Sequence, residues 1–182
     1  MSRIPVPATD RINAASLPLL DAVRKELGIV PNLLKVLANS PSALGGYLRL
    51  NAALAGGSLG VKTGERIALA VAEVNGCGYC LAAHTYLGKH VAGLDDDEMT
   101  SNRAGRSSDA RADAAVRFAT IVATERGHVS NAALREVQDA GFDDGEVMEI
   151  VAHVALNTLT NYVNEVAQTD VDFPAVDRAL AA

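Results

Sequence analysis

The sequence contains no tryptophan, and its aromatic residues are limited to four tyrosines and three phenylalanines. Yet 49% of its residues are hydrophobic, because alanine, leucine and valine are abundant. Small aliphatic side chains suit closely packed helices better than strands, which favour aromatic and β-branched residues. No convincing alternating strand pattern occurs along the chain. We therefore predict an all-α fold.

The sequence also lacks a basic excess and a long apolar run. Its 16 Lys and Arg against 22 Asp and Glu give a net charge of −6, which argues against nucleic-acid binding. The N-terminus lacks the apolar core of a signal peptide, and no apolar run reaches membrane-spanning length. We therefore expect a cytoplasmic protein with no nucleic-acid or membrane partner.

Capping residues, prolines and glycines predict eight or so helices in a single domain over residues 1–182. The caps are Ser16, Ser40, Thr63 and Ser130, together with the box pairs Asp95/Glu98 and Asp143/Glu146. The domain divides into N-terminal helices (16–57), a site block (63–91) and a C-terminal block (143–168). Along the chain, helices are predicted at 17–27, 31–38, 41 to Gly56, 64–74 and 77–91. Further helices are predicted after Asp95, at 111–126, after Ser130 and at 143–168. Residues 102–110 are expected to form an exposed loop, and residues 170–182 a packed strap or a frayed end.

An internal similarity relates the site block to the C-terminal block. Gly64-Glu65 and Gly145-Glu146 each open an Ala/Val-rich stretch with polar residues in its second half. This pattern indicates either two copies of one helical hairpin or two similar amphipathic helices that arose by chance. Only the first copy contains cysteines.

Both cysteines of the chain, Cys77 and Cys80, precede His84 by a short spacing. On a helix these spacings place the three side chains within about 60° of one another. A thiolate can then attack a substrate, the second thiol can close a disulfide, and the imidazole can accept a proton. The break at 75–76 places the cysteines in the first turns of a helix, where free amide groups and the dipole favour a thiolate.

Glu65 lies on the preceding predicted helix, and the break at 75–76 lets it turn toward His84. Carboxylate, imidazole and thiol would then form a proton relay, directly or through a water molecule. The residues alone leave open which cysteine attacks. The helix dipole favours Cys77, whereas the adjacent His84 favours Cys80.

Other roles fit these residue types less well. The cysteine pair and His84 supply three zinc ligands where a structural site needs four, and a c-type haem needs histidine in place of Leu81. A thioredoxin-like motif needs a βαβ context, which is missing. Of the neighbouring residues, Tyr79 is expected to pack and Glu73 to orient the loop. The remaining histidines are interpreted as structural (His128, His153) or as a helix C-terminal residue (His90).

The spacing of Glu65, Cys77, Cys80 and His84 within ERIALAVAEVNGCGYCLAAH resembles the AhpD-like alkylhydroperoxidase family. That family belongs to the carboxymuconolactone decarboxylase superfamily. The flanking stretches are similar to its uncharacterised peroxidase-related branch: GIVPNLLKVLANSP, RAGRSSDARADAAVRFA and ALNTLTNYVNEVAQTDVDFP. The best-known members carry histidine where this chain has Tyr79, so a second imidazole is missing here.

This resemblance implies a compact helical subunit that forms a homo-oligomer, commonly a trimer or hexamer. It implies peroxide reduction by a dithiol cycle with no metal or haem, and a dithiol reductant such as a lipoyl or thioredoxin-like protein. Cys80 would be the attacking thiolate, and His84 and Glu65 would draw off its proton through a water molecule. Cys77 would resolve the sulfenic acid to a disulfide.

Two other functions stay open. A lyase or isomerase acting on a lactone or β-keto acid would use His84 and Glu65 as acid and base, without the thiols. A non-enzymatic redox sensor or adaptor would form the disulfide without catalytic turnover.

Overall fold

The structure, a computed structural model, describes residues 2–176. These residues form nine α-helices and a short 3₁₀ turn, Thr9–Arg11, and contain no strand. The helices are α1 (Leu17–Leu27), α2 (Asn32–Leu37), α3 (Pro41–Ala55), α4 (Gly60–Val74), α5 (Gly78–His90), α6 (Asp96–Arg103), α7 (Ala110–Thr124), α8 (Asn131–Asp139) and α9 (Asp144–Ala167).

Helix α4 lies at the centre of the fold and packs against α5, α6, α7 and α9. Its central segment, residues 66–72, is buried along its whole length. The largest core cluster joins Ile67 and Val71 of α4 to Phe118 of α7 and Ile150 of α9. Because α4 carries Glu65 and α5 carries both cysteines, this packing sets the geometry between them.

Several predicted helix starts are confirmed by side-chain caps. The Ser40 hydroxyl accepts from the Ala43 amide, and the Ser130 hydroxyl accepts a matching bond at α8. Asp143 and Glu146 form the predicted reciprocal capping box at the start of α9. Each of these caps uses residues within three positions of one another, which is why local sequence identifies them.

Two other capping predictions are wrong, and a third is correct in part. The Ser16 hydroxyl donates to the Ala38 carbonyl instead of capping α1. Thr63 lies inside α4, which begins at Gly60. The predicted Asp95 cap of α6 is confirmed, because Asp95 accepts from the Glu98 amide, but the Glu98 side chain does not return the bond and binds Arg66 instead.

Glu98 turns into the protein, where the Arg66 Nε donates to it at 2.8 Å. Ser107 and Ser108 hydroxyls and the Asn102 amide also donate to the carboxylate. The first part of the loop 102–110 therefore wraps around a buried acid, and Asn102 is fully buried rather than exposed. Although burial opposes ionisation, these hydrogen bonds hold the pKa of Glu98 well below its usual range.

The described part of the C-terminal tail, residues 170–176, packs as a strap over α2 and α5. The Asp172 carboxylate accepts from the Asn32 amide at 2.8 Å and from the Tyr79 hydroxyl at 2.7 Å. Phe173 packs edge-on against Tyr79 and also contacts Tyr86. The strap alternative is therefore confirmed for these residues, while positions 177–182 lie outside the described residues.

The proposed repeat does not extend to a second hairpin. The first block breaks between α4 and α5, where Gly76 adopts a φ of 66°. The second block is one uninterrupted helix, α9, because it has no Asn-Gly turn at the matching place. Within residues 2–176, no helix combines the length and apolar character needed to cross a membrane.

Candidate active site

The turn between α4 and α5 sets the position of the cysteines. Helix α4 ends at Val74, Gly76 reverses the chain, and Cys77 becomes the N-cap of α5. The Cys77 sulfur accepts from the Cys80 amide at 3.2 Å, so a sulfur serves as the capping atom. The Asn75 side chain donates to Asn161 of α9 at 2.8 Å and holds the turn in place.

Cys77 and Cys80 are joined as a disulfide, with Cα atoms 5.3 Å apart. Cys77 is 0% exposed and Cys80 is 2% exposed. The Asn164 side chain of α9 donates to the Cys80 sulfur at 3.2 Å. Each sulfur therefore has one N–H donor, from the helix terminus for Cys77 and from a side chain for Cys80.

The structure brings Glu65 of α4 and His84 of α5 into contact, as the turn between the two helices predicted. The Glu65 Oε2 and His84 Nδ1 atoms are 2.9 Å apart, and the two side chains are 16% and 20% exposed. With Glu65 ionised, the Nδ1–H donates to the carboxylate and Nε2 keeps its lone pair. The pair can therefore accept a proton at Nε2 and stabilise the resulting imidazolium, and neither side chain is turned to bulk solvent.

A cavity of about 490 Å³ contains this site. Cys80, His84 and Glu65 all line it, whereas the fully buried Cys77 does not. Most of the remaining wall is apolar, including Leu33, Leu34, Leu54, Leu87, Leu156 and Phe173. The cavity thus presents one sulfur, two imidazoles, from His84 and His153, and one carboxylate to a small organic molecule.

Two of the three tyrosines that line the cavity, Tyr47 and Tyr79, are poor acids. Burial raises the pKa of Tyr47 to about 12, and the nearby Glu65 carboxylate adds to the shift. Burial also raises the pKa of Tyr79 above its ordinary value, and its hydroxyl is occupied by Asp172 and by the Leu33 amide. Tyr79 therefore packs, as expected, and in addition ties α5 to the strap.

Comparison with known proteins agrees with this geometry. The sequence model of the carboxymuconolactone decarboxylase family matches residues 41–125, which include the whole Glu–Cys–Cys–His set. This segment is similar to that family. A search of curated proteins finds no significant match.

Solved structures extend the similarity over nearly the whole chain. The AhpD-core peroxidase-related protein from Ralstonia eutropha JMP134 is 25% identical, with a TM-score of 0.83 over 94% of this chain and 92% of that chain. The peroxidase-related protein from Silicibacter sp. TM1040 is 23% identical, with a TM-score of 0.80 over 93% and 91%. A variant of the debrominase Bmp8 in complex with 2,3,4-tribromopyrrole is 17% identical, with a TM-score of 0.76 over 93% and 91%. The AhpD-like helical fold predicted from the sequence is confirmed.

Two residues of the candidate site were not identified from the sequence. His153, interpreted as structural, lines the cavity, and Asn164 contacts the Cys80 sulfur. Both belong to a polar stripe on one face of α9 that also includes Asn157 and Thr160. Helical spacing of these polar residues inside an otherwise apolar helix was the signal that would have identified them. Glu73, expected to orient the loop, instead pairs with Arg103 of α6 at 2.7 Å.

The His153 imidazole packs directly on the backbone of α4 at Gly64. It can do so because Gly64 has no side chain, since a Cβ there would lie 3.0 Å from the imidazole Cε1. Burial lowers the pKa of His153, and the nearby carboxylates of Glu149 and Glu65 offset this only in part. The folded protein therefore favours the neutral imidazole.

This shift predicts a pH-dependent loss of stability. Below a pH of about 6.5 the unfolded chain binds a proton at His153 more readily than the folded chain, so acid destabilises the fold. The contribution stops growing once pH passes the lowered folded-state pKa, and its slope cannot exceed about 1.4 kcal/mol per pH unit. Urea unfolding of wild type and His153→Gln at about pH 7 and about pH 5.5 measures it. We expect a smaller pH difference in the variant, and equal differences in the two proteins would contradict the assignment.

Proposed function

We propose that this protein is a dithiol-dependent peroxidase that reduces a peroxide through Cys80 and Cys77. The observation that carries the proposal is the position of Cys80 on the cavity wall, beside the hydrogen-bonded Glu65–His84 pair. A nucleophilic thiolate needs access to substrate and a nearby base. Cys80 lines the cavity, and His84 lines it too, one helical turn later on α5. Cys77 is fully buried, which suits a resolving thiol.

In the first half-reaction, His84 accepts the Cys80 proton while Glu65 stabilises the imidazolium. The Cys80 thiolate attacks one peroxide oxygen, the O–O bond breaks, and the sulfur is oxidised to a sulfenic acid. The leaving alkoxide takes the proton back from His84 and departs as an alcohol. Because Tyr79 replaces the histidine of the best-known members and its hydroxyl is occupied, the relay consists of Glu65 and His84 alone.

In the second half-reaction, the Cys77 thiol attacks the sulfenic sulfur, water leaves, and the disulfide forms. A dithiol reductant then attacks the disulfide and becomes oxidised itself, returning two thiols. We propose a lipoyl or thioredoxin-like protein as this reductant. The short spacing of the two cysteines supports the cycle, since no large movement is needed to bring the sulfurs together.

We also propose that the protein acts as a homo-oligomer, a trimer or hexamer. An exposed apolar stripe on α9 supports this, because such stripes on surface helices commonly mark protein interfaces. Its large members are Met148, Leu159, Tyr162 and Val166. Sedimentation that shows only monomers at micromolar concentration would exclude an oligomer of this kind.

The test of the peroxidase proposal is peroxide consumption with a dithiol reductant, measured before and after alkylation of both thiols and in His84→Ala. We expect alkylation to abolish consumption and His84→Ala to slow it by roughly 10²–10⁴-fold, the usual contribution of a general base. Consumption that survives alkylation, or equal rates in wild type and His84→Ala, would overturn the proposal. Formation of the disulfide without turnover, with every dithiol tried, would favour the sensor alternative. Turnover of a lactone or β-keto acid after alkylation would favour the lyase.

A further inference from the structure

Asn164 is a buried polar residue with one side-chain partner. It is 2% exposed, and its Nδ2 donates to the Cys80 sulfur at 3.2 Å. Its Oδ1 is buried and has no hydrogen-bond partner among residues 2–176. Burying an amide oxygen without a partner destabilises a fold, so stability does not explain why this amide lies here.

The backbone that carries the Asn164 side chain is held by the end of its helix, and the side chain itself already contacts the Cys80 sulfur. The Asn164 carbonyl accepts from the amides of Gln168 and Thr169, which close the last turn of α9. Gln168 adopts a left-handed conformation, with φ of 49°, that ends the helix at this point. The donor is therefore preorganised and does not have to move when charge develops on the sulfur.

The value of this hydrogen bond depends on the redox state of Cys80. A disulfide sulfur is a weak acceptor, whereas a thiolate carries a full charge and forms a charge-assisted hydrogen bond of about twice the strength of a neutral one. We propose that Asn164 is a catalytic residue that stabilises the Cys80 thiolate by donating to it from α9. This inference deepens the proposed function by assigning a second activating group to the same sulfur.

Asn164 also bears on the choice between the two cysteines. The helix terminus supplies a donor to Cys77, and Asn164 supplies the equivalent donor to Cys80, so the dipole argument no longer favours Cys77 alone. The titratable groups that share the cavity with Cys80 come from four helices: Tyr47 of α3, Glu65 of α4, Tyr79, His84 and Tyr86 of α5, and His153 of α9. Asn164 differs from these groups because it is a neutral donor in direct contact with the sulfur, so its contribution does not itself titrate.

A donor that favours the thiolate over the disulfide also favours the reduced protein. Stabilising the reduced form makes a disulfide easier to reduce and raises its reduction potential. Removing the donor is therefore expected to shift two quantities together: the thiol pKa of Cys80 upward, and the reduction potential to a more negative value.

The test compares wild type with Asn164→Ala and with the near-isosteric Asn164→Asp in the full-length reduced protein. Cys80 alkylation rates against pH, assigned to that residue by peptide mass spectrometry, give its thiol pKa. We expect Asn164→Ala to raise this pKa by about one to two units, the equivalent of losing one charge-assisted hydrogen bond. Asn164→Asp is expected to raise it further, because a carboxylate repels the thiolate. The reduction potential should become more negative, by about 30 mV for each tenfold change in the equilibrium constant between disulfide and dithiol.

Ser16→Ala is the control, since it removes another fully buried side-chain donor, whose partner is the Ala38 carbonyl instead of a sulfur. It is expected to lower stability while leaving the Cys80 pKa at its wild-type value. An unchanged Cys80 pKa in both Asn164 variants would assign Asn164 to packing alone and overturn the inference. Because no peroxide is used, these shifts test the inference separately from the proposed peroxidase activity.

Discussion

Cys80→Ser is expected to consume no peroxide, whereas Cys77→Ser is expected to complete a single turnover and stop. The serine hydroxyl is a poor nucleophile near neutral pH, so the loss in Cys80→Ser should be at least ~10³-fold. In Cys77→Ser the attacking thiol and its base remain, but the sulfenic acid has no thiol to resolve it. Peroxide consumed per subunit, together with trapping of the sulfenic acid by a dione reagent, measures this difference.

The two cysteine variants are matched in the disulfide that they lose. Each removes the same disulfide, whose short loop contributes at most about 2 kcal/mol by the chain-entropy estimate. A difference in chemistry between them therefore comes from the position of the lost sulfur. A single turnover in Cys80→Ser but none in Cys77→Ser would reverse the assignment and make the helix terminus the dominant activating feature.

The sequence located the four residues of the candidate site because their relations are local or depend on one break. The helical spacing of Cys77, Cys80 and His84 fixes their shared face, and the Asn-Gly turn lets α4 and α5 lie side by side. Glu65 then reaches His84 because both helices pack closely. The hydrogen bonds among these four residues join positions that are close in sequence or that one predictable turn brings together.

What sequence reasoning missed depends on contacts between distant segments. The start of α4 lies at Gly60 and not at the predicted Gly64, because the Glu149 carboxylate of α9 accepts from the Ser58 and Leu59 amides and caps the helix from outside. Gly57 permits this approach, since a Cβ there would lie 2.6 Å from the Glu149 Oε2. Local capping rules cannot identify a cap supplied by another helix.

The contact between Asn164 and Cys80 has the same character. The two residues are 84 positions apart, and only the packing of α5 on α9 brings them together. A polar stripe on α9 shows that one face of the helix meets something other than an apolar core. Which atom each polar residue meets depends on the crossing of the helices, which the sequence pattern does not specify.

Glu98→Ala is expected to lower the free energy of unfolding by about 3–5 kcal/mol, the usual cost of removing one partner from a buried ion pair. Glu98 is 6% exposed and Arg66 is 9% exposed, so the variant leaves a buried guanidinium without its carboxylate. Two serine hydroxyls, from Ser107 and Ser108, would also lose their acceptor. Urea unfolding followed by circular dichroism measures the loss.

Two comparisons separate this effect from the general cost of removing a glutamate. Glu136→Ala breaks the exposed pair with Arg117 and should cost less than about 1 kcal/mol. Replacing both partners, as in Arg66→Met with Glu98→Leu, should recover part of the loss because no charge is then left buried. A cost for Glu98→Ala no larger than that of Glu136→Ala would show that the carboxylate is not needed to hold α6 on α4.

The depressed pKa of Glu98 gives this prediction a pH dependence. Because the folded-state pKa lies below the unfolded value, the stabilisation is fully present above the unfolded-state pKa of about 4.3 and is lost as pH falls toward the folded-state value. Wild type should therefore lose more stability in acid than Glu98→Ala does.

The ion pair of Arg66 with Glu98, here called the clamp, also bears on activity. Arg66 follows Glu65 directly on α4, so the clamp also fixes the helix that presents Glu65 to His84. If the clamp positions the relay, Glu98→Ala should slow peroxide consumption even under conditions where the variant remains folded, and the Arg66→Met, Glu98→Leu double variant should restore part of the rate together with the stability.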